Sequence, residues 1–406
     1  MRRPYRPTRR SLIKNVGAAG LATGALGMWR PSRALAQDGP VTILGIVPLT
    51  GPYAADGERI MRGQQMAVES FGGQVAGRPI NYITRDAAND AGAATRRATE
   101  AIESENAMAI VGPWADDVGQ AISDVARRKK VIHYWSGGPI DCHRYWFQWA
   151  PPYYTGVKAT MDYVLQKHPD AKRWYMLTSD YQFGWTMEEL EKQIGAEKGI
   201  EFIGGARHVL GEREFARYMG EIMAAQPDVL VLNNFGLDTA QAIRTAFSYG
   251  LNEMAQIVVP WGSGIEDYIR LEPAMTEGLI VGTAFYYTTE HAADFAAEYI
   301  ERYNEPPGYP AGSGFAALEA LLRGIEKAGS SDPADVVNAL EGMEFDSVVG
   351  PTSIDPDTHQ TIRPFFVTEG KPVAERNGEF DVATIVATSS EMPPPEVLGC
   401  EDLGEL

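Results

Sequence analysis

The sequence has 406 residues, of which 44% are hydrophobic, and its formal net charge is −18. This length predicts two or three domains, and the hydrophobic content is ample for packed cores. The acidic balance argues against a nucleic-acid-binding protein, because contact with phosphates requires clustered Lys and Arg.

The first 36 residues differ from the rest of the chain, since they contain eight Arg or Lys residues and no acid. The pair Arg9-Arg10 is followed by a weakly apolar segment over residues 16–28 and by a small-residue site that ends at Ala36. This order is typical of a twin-arginine export signal. We therefore predict a periplasmic protein from which residues 1–36 are removed. Export by the Sec pathway is the alternative to the twin-arginine pathway. A disordered basic tail is the alternative.

Two series of alternating strands and helices follow. The first has predicted strands at residues 41–48, 78–86, 107–112 and 131–135 and predicted helices at 58–71, 90–105 and 118–129. The segment 41–48 is apolar without alternation, as expected for a parallel strand covered on both faces. The aromatic-rich segment 142–154 interrupts the alternation and suits a crossover between domains.

The second series has the same βα alternation. Its strands are predicted at residues 173–179, 200–205, 229–233, 256–260 and 279–283, and its helices at 155–167, 186–198, 215–225 and 239–250. Helices at 294–303, 314–328 and 333–342 come next, and residues 352–386 resemble short antiparallel strands. The whole pattern predicts an α/β protein with parallel sheets.

Motifs of catalysis and cofactor binding are largely absent. The sequence lacks the G-x-S-x-G, H-E-x-x-H, G-x-x-x-x-G-K-[ST] and strand-linked G-x-G-x-x-G patterns, and its six histidines are scattered. We therefore predict no enzymatic activity, no cofactor and no metal site.

The loops after the predicted strands carry aromatic platforms with a few polar groups, as in small-molecule clefts. Ligands of open α/β sheets bind beyond the carboxyl ends of the strands. The candidates in these loops are Tyr53, Asp56, Trp114, Asp116, Ser136, Gly137, Gly138, Phe183, Asn234 and Trp261. Each has an ordinary alternative: the two Trp residues could simply pack, Asp116 or Asp117 could cap a helix, and the Ser-Gly-Gly segment could be only a turn.

An ordered set of short motifs resembles a known family. The set comprises Thr50-Gly51 with Ala54 and Gly57, Asp86 after its strand, Gly112 at the end of the third strand, and Asp180-Tyr181-Gln182-Phe183-Gly184. It is similar to the periplasmic substrate-binding proteins of branched-chain amino acid (Leu/Ile/Val-binding-like) ABC transporters. The resemblance extends over residues 41–386.

The resemblance implies a type I periplasmic binding protein fold, with two Rossmann-like lobes of parallel sheets joined by three hinge crossovers. Lobe 1 would comprise residues 40–151 plus 286–363, and lobe 2 residues 152–285 plus 364–390. Residues 391–406 would form a Pro-rich tail. The implied function is that of a non-catalytic receptor that clamps a small-molecule ligand between its lobes and delivers it to an ABC permease in the inner membrane.

The same resemblance assigns roles within the site. Asp116 stands where relatives place a hydroxyl that holds the ligand carboxylate, and Trp261 stands where an acid holds the ligand ammonium. Ser136, Gly137 and Gly138 match backbone and hydroxyl donors, while family aromatics map near Phe183 and Asn234. An ordinary α-amino acid is therefore not the ligand that we expect first. The alternatives are an amine, a polyol or amide, and an aromatic acid held by a protonated Asp116.

Cys142 and Cys400 are the two cysteines, and an even count in an exported chain allows a disulfide bond. Cys142 followed by Arg144, together with Gly399-Cys400, resembles a subgroup of the family, which favours the bond over two free thiols. We expect a monomer that binds no nucleic acid. The alternatives to an importer's receptor are a sensory ligand-binding protein with a membrane partner and an exported cofactor-dependent enzyme.

Overall fold

The computed structural model describes residues 39–406, except residues 136, 138–140, 395–396, 398–399 and 401. The predicted export signal lies outside the described residues. The strands are β1 (Val41–Val47), β2 (Gln74–Val75), β3 (Arg78–Asp86), β4 (Ala109–Val111), β5 (Ile132–Trp135), β6 (Trp146–Gln148), β7 (Arg173–Ser179), β8 (Glu201–His208), β9 (Val229–Asn233), β10 (Gln256–Val259), β11 (Ile280–Thr283), β12 (Glu344–Ser347), β13 (Gly350–Ile354), β14 (Thr361–Ile362), β15 (Phe365–Gly370) and β16 (Ala383–Ser389).

The helices pack against these strands. They are α1 (Ala54–Ser70), α2 (Ala91–Glu105), α3 (Asp116–Lys129), α4 (Tyr153–Lys167), α5 (Gln182–Lys198), α6 (Ala216–Ala225), α7 (Leu237–Ser248), α8 (Ile265–Ile269), α9 (Ala293–Tyr303), α10 (Tyr309–Ala328) and α11 (Pro333–Leu340).

Two sheets form the centres of two lobes. The first sheet has the order β2-β3-β1-β4-β5-β6, and the second has the order β16-β15-β11-β10-β9-β7-β8. Strand β1 lies inside the first sheet, and all seven of its residues are buried, which explains its unbroken apolar sequence. It pairs in parallel with β3 and β4. Antiparallel β15 and β16 complete the edge of the second sheet, and β12-β13-β14 form a small separate sheet.

The predicted fold class is confirmed, and the differences lie at element boundaries and in short elements. Helix α1 begins at Ala54 rather than at residue 58, and α5 begins at Gln182 rather than at residue 186. Strand β6 and helix α8 were not predicted, because segments of three and five residues carry too little periodicity.

The chain passes from the first sheet to the second after β6, leaves the second sheet after β11 and returns to it after β14. Arg363, of which 1% is exposed, touches all three crossovers. Its Nε donates to the carbonyl of Trp149 at 2.9 Å, and its Nη1 donates to the carbonyl of Ala284 at 2.6 Å. The guanidinium also lies 4.4 Å from the ring centroid of Trp149. One buried side chain thus ties the crossovers together.

Helices α1 and α10 pack so closely that glycine is required on both. A Cβ on Gly63 would lie 2.1 Å from the carbonyl oxygen of Ala311, and a Cβ on Gly314 would lie 2.2 Å from that of Ile60. This packing holds the first residue of α10, Tyr309, at the centre of the protein, where 2% of it is exposed.

A disulfide bond joins Cys142 and Cys400, whose Cα atoms are 5.6 Å apart. It links the C-terminal segment to the loop between β5 and β6. Within the described residues, no helix combines the length and the hydrophobicity that a membrane span requires.

Candidate functional site

A cavity of about 30 Å³ lies between the two lobes, at the carboxyl ends of strands from both sheets. This volume is far below the roughly 300 Å³ at the lower end of small-molecule sites, so an organic ligand enters only when the lobes move apart. The described residues that line it are Tyr53, Trp114, Ala115, Asp116, Gly137, Tyr153, Tyr181, Phe183, Phe235, Trp261 and Tyr309.

Six aromatic side chains follow one another around the cavity, each in contact with the next. The order is Trp114, Phe235, Phe183, Tyr153, Trp261, Tyr309 and back to Trp114. The successive centroid distances are 5.3, 6.4, 5.4, 4.8, 6.3 and 5.2 Å. Five of these contacts are edge-to-face, the arrangement that the quadrupoles of aromatic rings favour. We call these six side chains the aromatic cage.

Asp116 is the acidic member of the site, and 3% of it is exposed. Among the described residues, the hydroxyl of Tyr153 is its hydrogen-bond donor, at 3.2 Å from each carboxylate oxygen. Burial raises the pKa of Asp116 to about 7; the bond from Tyr153 opposes this shift, and the negative charge of Asp117 adds to it. Asp116 is the first residue of α3, where the helix dipole favours the charged form.

Glycines permit this placement of Asp116. Gly112 has a φ of +109°, and a Cβ there would lie 2.1 Å from the carbonyl oxygen of Ile46, so the turn from β4 to α3 requires glycine. A Cβ on Gly137 would lie 3.2 Å from a carboxylate oxygen of Asp116 and 3.3 Å from the hydroxyl of Tyr153. Glycine at residue 137 therefore keeps space beside the carboxylate.

The two lobes meet directly at the cavity. The hydroxyl groups of Tyr53, from the first lobe, and Tyr181, from the second, are 2.7 Å apart. Desolvation raises the pKa of both phenols, so both stay neutral hydrogen-bonding groups. Trp114 from the first lobe also contacts Phe235 from the second.

The structure brings six of the ten predicted ligand-binding residues together. These are Tyr53, Trp114, Asp116, Gly137, Phe183 and Trp261. Asp56 and Asn234 do not line the cavity, and Ser136 and Gly138 lie outside the described residues. The side-chain amide of Asn234 is fully buried beside the second sheet and lies 3.0 Å from Nε2 of His208.

Asp56 instead belongs to ion pairs between the lobes. Its Oδ1 accepts a hydrogen bond from Nη2 of Arg270 at 3.1 Å, and Nε of Arg59 lies 3.5 Å from Oε1 of Glu266. We call Asp56, Arg59, Glu266 and Arg270 the rim network. Asp56 lies on the first turn of α1, where its carboxylate meets Arg270 of the second lobe instead of the cavity.

Four aromatic residues of the site were not among the predicted ligand-binding residues: Tyr153, Tyr181, Phe235 and Tyr309. Tyr181 and Phe235 lie in the predicted strand-end loops, two residues before Phe183 and directly after Asn234, so the loop sequences already contained them. Tyr153 begins α4 directly after the first crossover. Tyr309 comes from a helix distant in sequence, and no local pattern marks it.

A larger cavity, of about 630 Å³, lies at the opposite end of the second sheet. His168, Asp228, Gln256 and Met275 are among the residues that line it. All of its walls belong to the second lobe, and it lies beyond the amino ends of the strands. The smaller cavity between the lobes is therefore the better candidate for ligand binding.

Comparisons with known proteins agree with this fold. A crystal structure described as an amino acid ABC transporter substrate-binding protein from Pseudomonas fluorescens Pf-5 is 30% identical, with a TM-score of 0.84; the match covers 89% of this chain and 98% of that one. A Rhodopseudomonas palustris solute binding protein in complex with 3,4-dihydroxy benzoic acid is 19% identical, with a TM-score of 0.79, covering 88% and 99%.

Sequence relatives point the same way. Leu/Ile/Val-binding protein homolog 3 of Brucella melitensis is 24% identical over 321 residues, which are 76% of this chain and 86% of the relative. The sequence profile described as periplasmic binding protein matches residues 40–378. This match confirms the resemblance inferred from the motifs: the chain belongs to the periplasmic binding protein family.

Proposed function

We propose that this protein is the extracytoplasmic receptor of an ABC importer and that it clamps a small organic ligand between its two lobes. The observation that carries the proposal is the cavity at the carboxyl ends of both sheets, whose walls come from both lobes. A ligand that contacts both walls binds the closed form better than the open form, and it therefore shifts the population toward the closed form.

The remaining parts of the proposal concern the chain around this site. Residues 1–36 are an export signal cleaved near Ala36, and the mature protein is a periplasmic monomer that docks on an inner-membrane permease. Lobe 1 comprises residues 40–151 plus 286–363, lobe 2 comprises 152–285 plus 364–390, and the tail comprises 391–406. Light scattering on the exported protein measures its oligomeric state, and N-terminal sequencing locates the cleavage site.

The clamp is tested on protein purified from the periplasm of its host. Native mass spectrometry detects any retained small molecule, and small-angle scattering before and after its removal and return measures closure. We expect a smaller radius of gyration with the ligand bound. Binding that leaves the radius unchanged would contradict the clamp.

Site variants locate the binding. Replacing both cage tryptophans, Trp114→Ala with Trp261→Ala, should abolish binding of the retained molecule. Trp185→Ala is the matched control, because this side chain is 43% exposed and lies outside the cavity. Deleting the gene should abolish uptake of the molecule by cells; lost signalling with unchanged uptake would support the sensory alternative instead.

A further inference from the structure

We propose that the ligand is a small organic cation, either a protonated amine or a quaternary ammonium, held by the aromatic cage and by the carboxylate of Asp116. This inference rests on the function proposed above and names the ligand class of the same site. Three properties of the cavity carry it: its ring of aromatic faces and edges, its buried carboxylate, and the absence of a basic side chain among the described lining residues.

The aromatic cage provides the first argument. Neighbouring ring centroids around it are 4.8 to 6.4 Å apart, so a small group held between the rings lies near several centroids at once. Cations are attracted to aromatic rings within about 6 Å of the centroid, and this attraction reaches about 2 kcal/mol when the cation is desolvated. Both tryptophans of the cage, Trp114 and Trp261, have the indole ring that interacts most strongly with cations.

Asp116 provides the second argument. A charged carboxylate accepts about four hydrogen bonds, and one hydroxyl, that of Tyr153, serves both of its oxygens here. The carboxylate is therefore buried with acceptor positions left over. An ammonium group supplies donors and a countercharge together, whereas a trimethylammonium group supplies the countercharge alone.

The charges around the cavity provide the third argument. None of the described lining residues is Lys, Arg or His. A ligand carboxylate would thus enter a site with no cation to hold it and with a second carboxylate already present. A neutral ligand would leave Asp116 charged and unpaired, or would require it to be protonated. The cation is the class of ligand that neutralises the site.

The experiment compares shape-matched probes by calorimetry at about pH 8, where Asp116 is charged. Choline is compared with neutral 3,3-dimethylbutan-1-ol, and benzylamine with benzyl alcohol and with benzoate. At least one cation should bind at least about 10-fold more tightly than its neutral partner, from cation–π attraction and charge pairing together. Neutral probes or benzoate that bind as tightly as the cations would overturn the inference, as would the absence of binding by both cations.

Variants test whether the preference for cations depends on Asp116. Asp116→Asn should weaken binding of the cationic probe by at least about 30-fold, because one partner of a desolvated charge pair is lost. Its binding of the neutral partner should change by less than about threefold. Asp117→Asn is the matched control, because Asp117 is the next residue on the same helix and is exposed. Equal losses in the two variants would overturn the role of Asp116.

A pH series on the unaltered protein avoids any folding defect of the variants. Choline does not titrate, so its affinity should rise about tenfold per pH unit below the pKa of about 7 and level off above it. The other ionisable groups facing Asp116 are Asp117 and the phenols of Tyr53, Tyr153, Tyr181 and Tyr309. An affinity independent of pH would contradict the inference.

Different results would overturn the proposed ligand class and the proposed receptor function. If a neutral or anionic compound binds and shrinks the radius of gyration while the cations do not, the cation is overturned and the clamp stands. If a cation binds without closure, the clamp fails and the ligand class stands.

Discussion

Two regions join the lobes of this protein, the aromatic cage with Asp116 and the rim network, and both hold buried carboxylates. In the rim network the countercharges belong to the fold: Arg270 pairs with Asp56, and Arg59 lies beside Glu266. Around Asp116 the described lining residues include no cation. In the rim network, arginines of the protein supply the countercharges. At Asp116, the proposed ligand would supply the countercharge.

Burial acts on both regions in the same direction. It raises the pKa of Glu266 to about 8, although the guanidinium groups of Arg270 and Arg59 oppose the shift. It raises the pKa of Asp116 to about 7, with the hydroxyl of Tyr153 as the opposing group. The regions therefore differ in the partners of the carboxylates rather than in their burial. Removing the charge of Asp116 should stabilise the protein, whereas removing a charged partner from the rim network should weaken closure.

The largest expected effect is on the stability of the ligand-free protein with Asp116→Asn. At about pH 8 this change removes a buried charge without a countercharge and should raise the free energy of unfolding by about 2–4 kcal/mol. Urea unfolding measures it, and Asp117→Asn should stay within about 0.5 kcal/mol of the unaltered protein. A destabilised Asp116→Asn variant would show that the carboxylate is already paired.

The same carboxylate sets an expected pH dependence. The pKa of Asp116 is raised from 3.8 to about 7 on folding, so its contribution to stability is fully present below about 3.8 and is lost as the pH rises through about 7. The stability difference between Asp116→Asn and the unaltered protein should therefore grow over this window and be constant above it. Other buried acids, such as Glu191 and Asp267, occur in both proteins, so the difference isolates Asp116. A flat difference would contradict the raised pKa.

The rim network should respond in the opposite sense. Arg270→Met leaves Asp56 without its partner in the closed form and should weaken ligand binding by about 10- to 30-fold, through a loss of about 1.5–2 kcal/mol from closure. Calorimetry measures the affinity, and scattering measures the more open ligand-free form. Arg213→Met, at an exposed position of the second lobe, is the control. Unchanged affinity would mean that the rim network does not contribute to closure.

The smallest expected effect concerns the hydroxyl pair between the lobes. The double variant Tyr53→Phe with Tyr181→Phe removes both partners, so no donor is left unpaired, and binding should weaken by only about two- to fivefold. Tyr249→Phe, at a side chain that is 43% exposed, is the control. A loss as large as that of Arg270→Met would show that hydroxyl pairing, and not the ion pairs, dominates closure.

The site was partly predictable because strands of one sheet end at a common edge. Loops after β1, β4, β5, β7 and β10 supply the six predicted residues that line the cavity. Asp56 lies outside the cavity because its carboxylate pairs with Arg270 of the other lobe. Asn234 lies outside it because its amide meets His208 at the end of β8, two strands away in the same sheet.

The two βα series, the strand-end loops and the family could be predicted from the sequence, because periodicity and short ordered motifs are local properties of a chain. That six aromatic rings and one carboxylate line the same cavity follows from the packing of distant segments. Tyr309 joins Trp114 and Trp261 there because α1 and α10 pack through glycines, and such a contact depends on helix approach rather than on sequence distance. The tertiary structure likewise decided which acids have cations beside them, since Asp56 and Arg270 are far apart in the chain and meet only where the lobes touch.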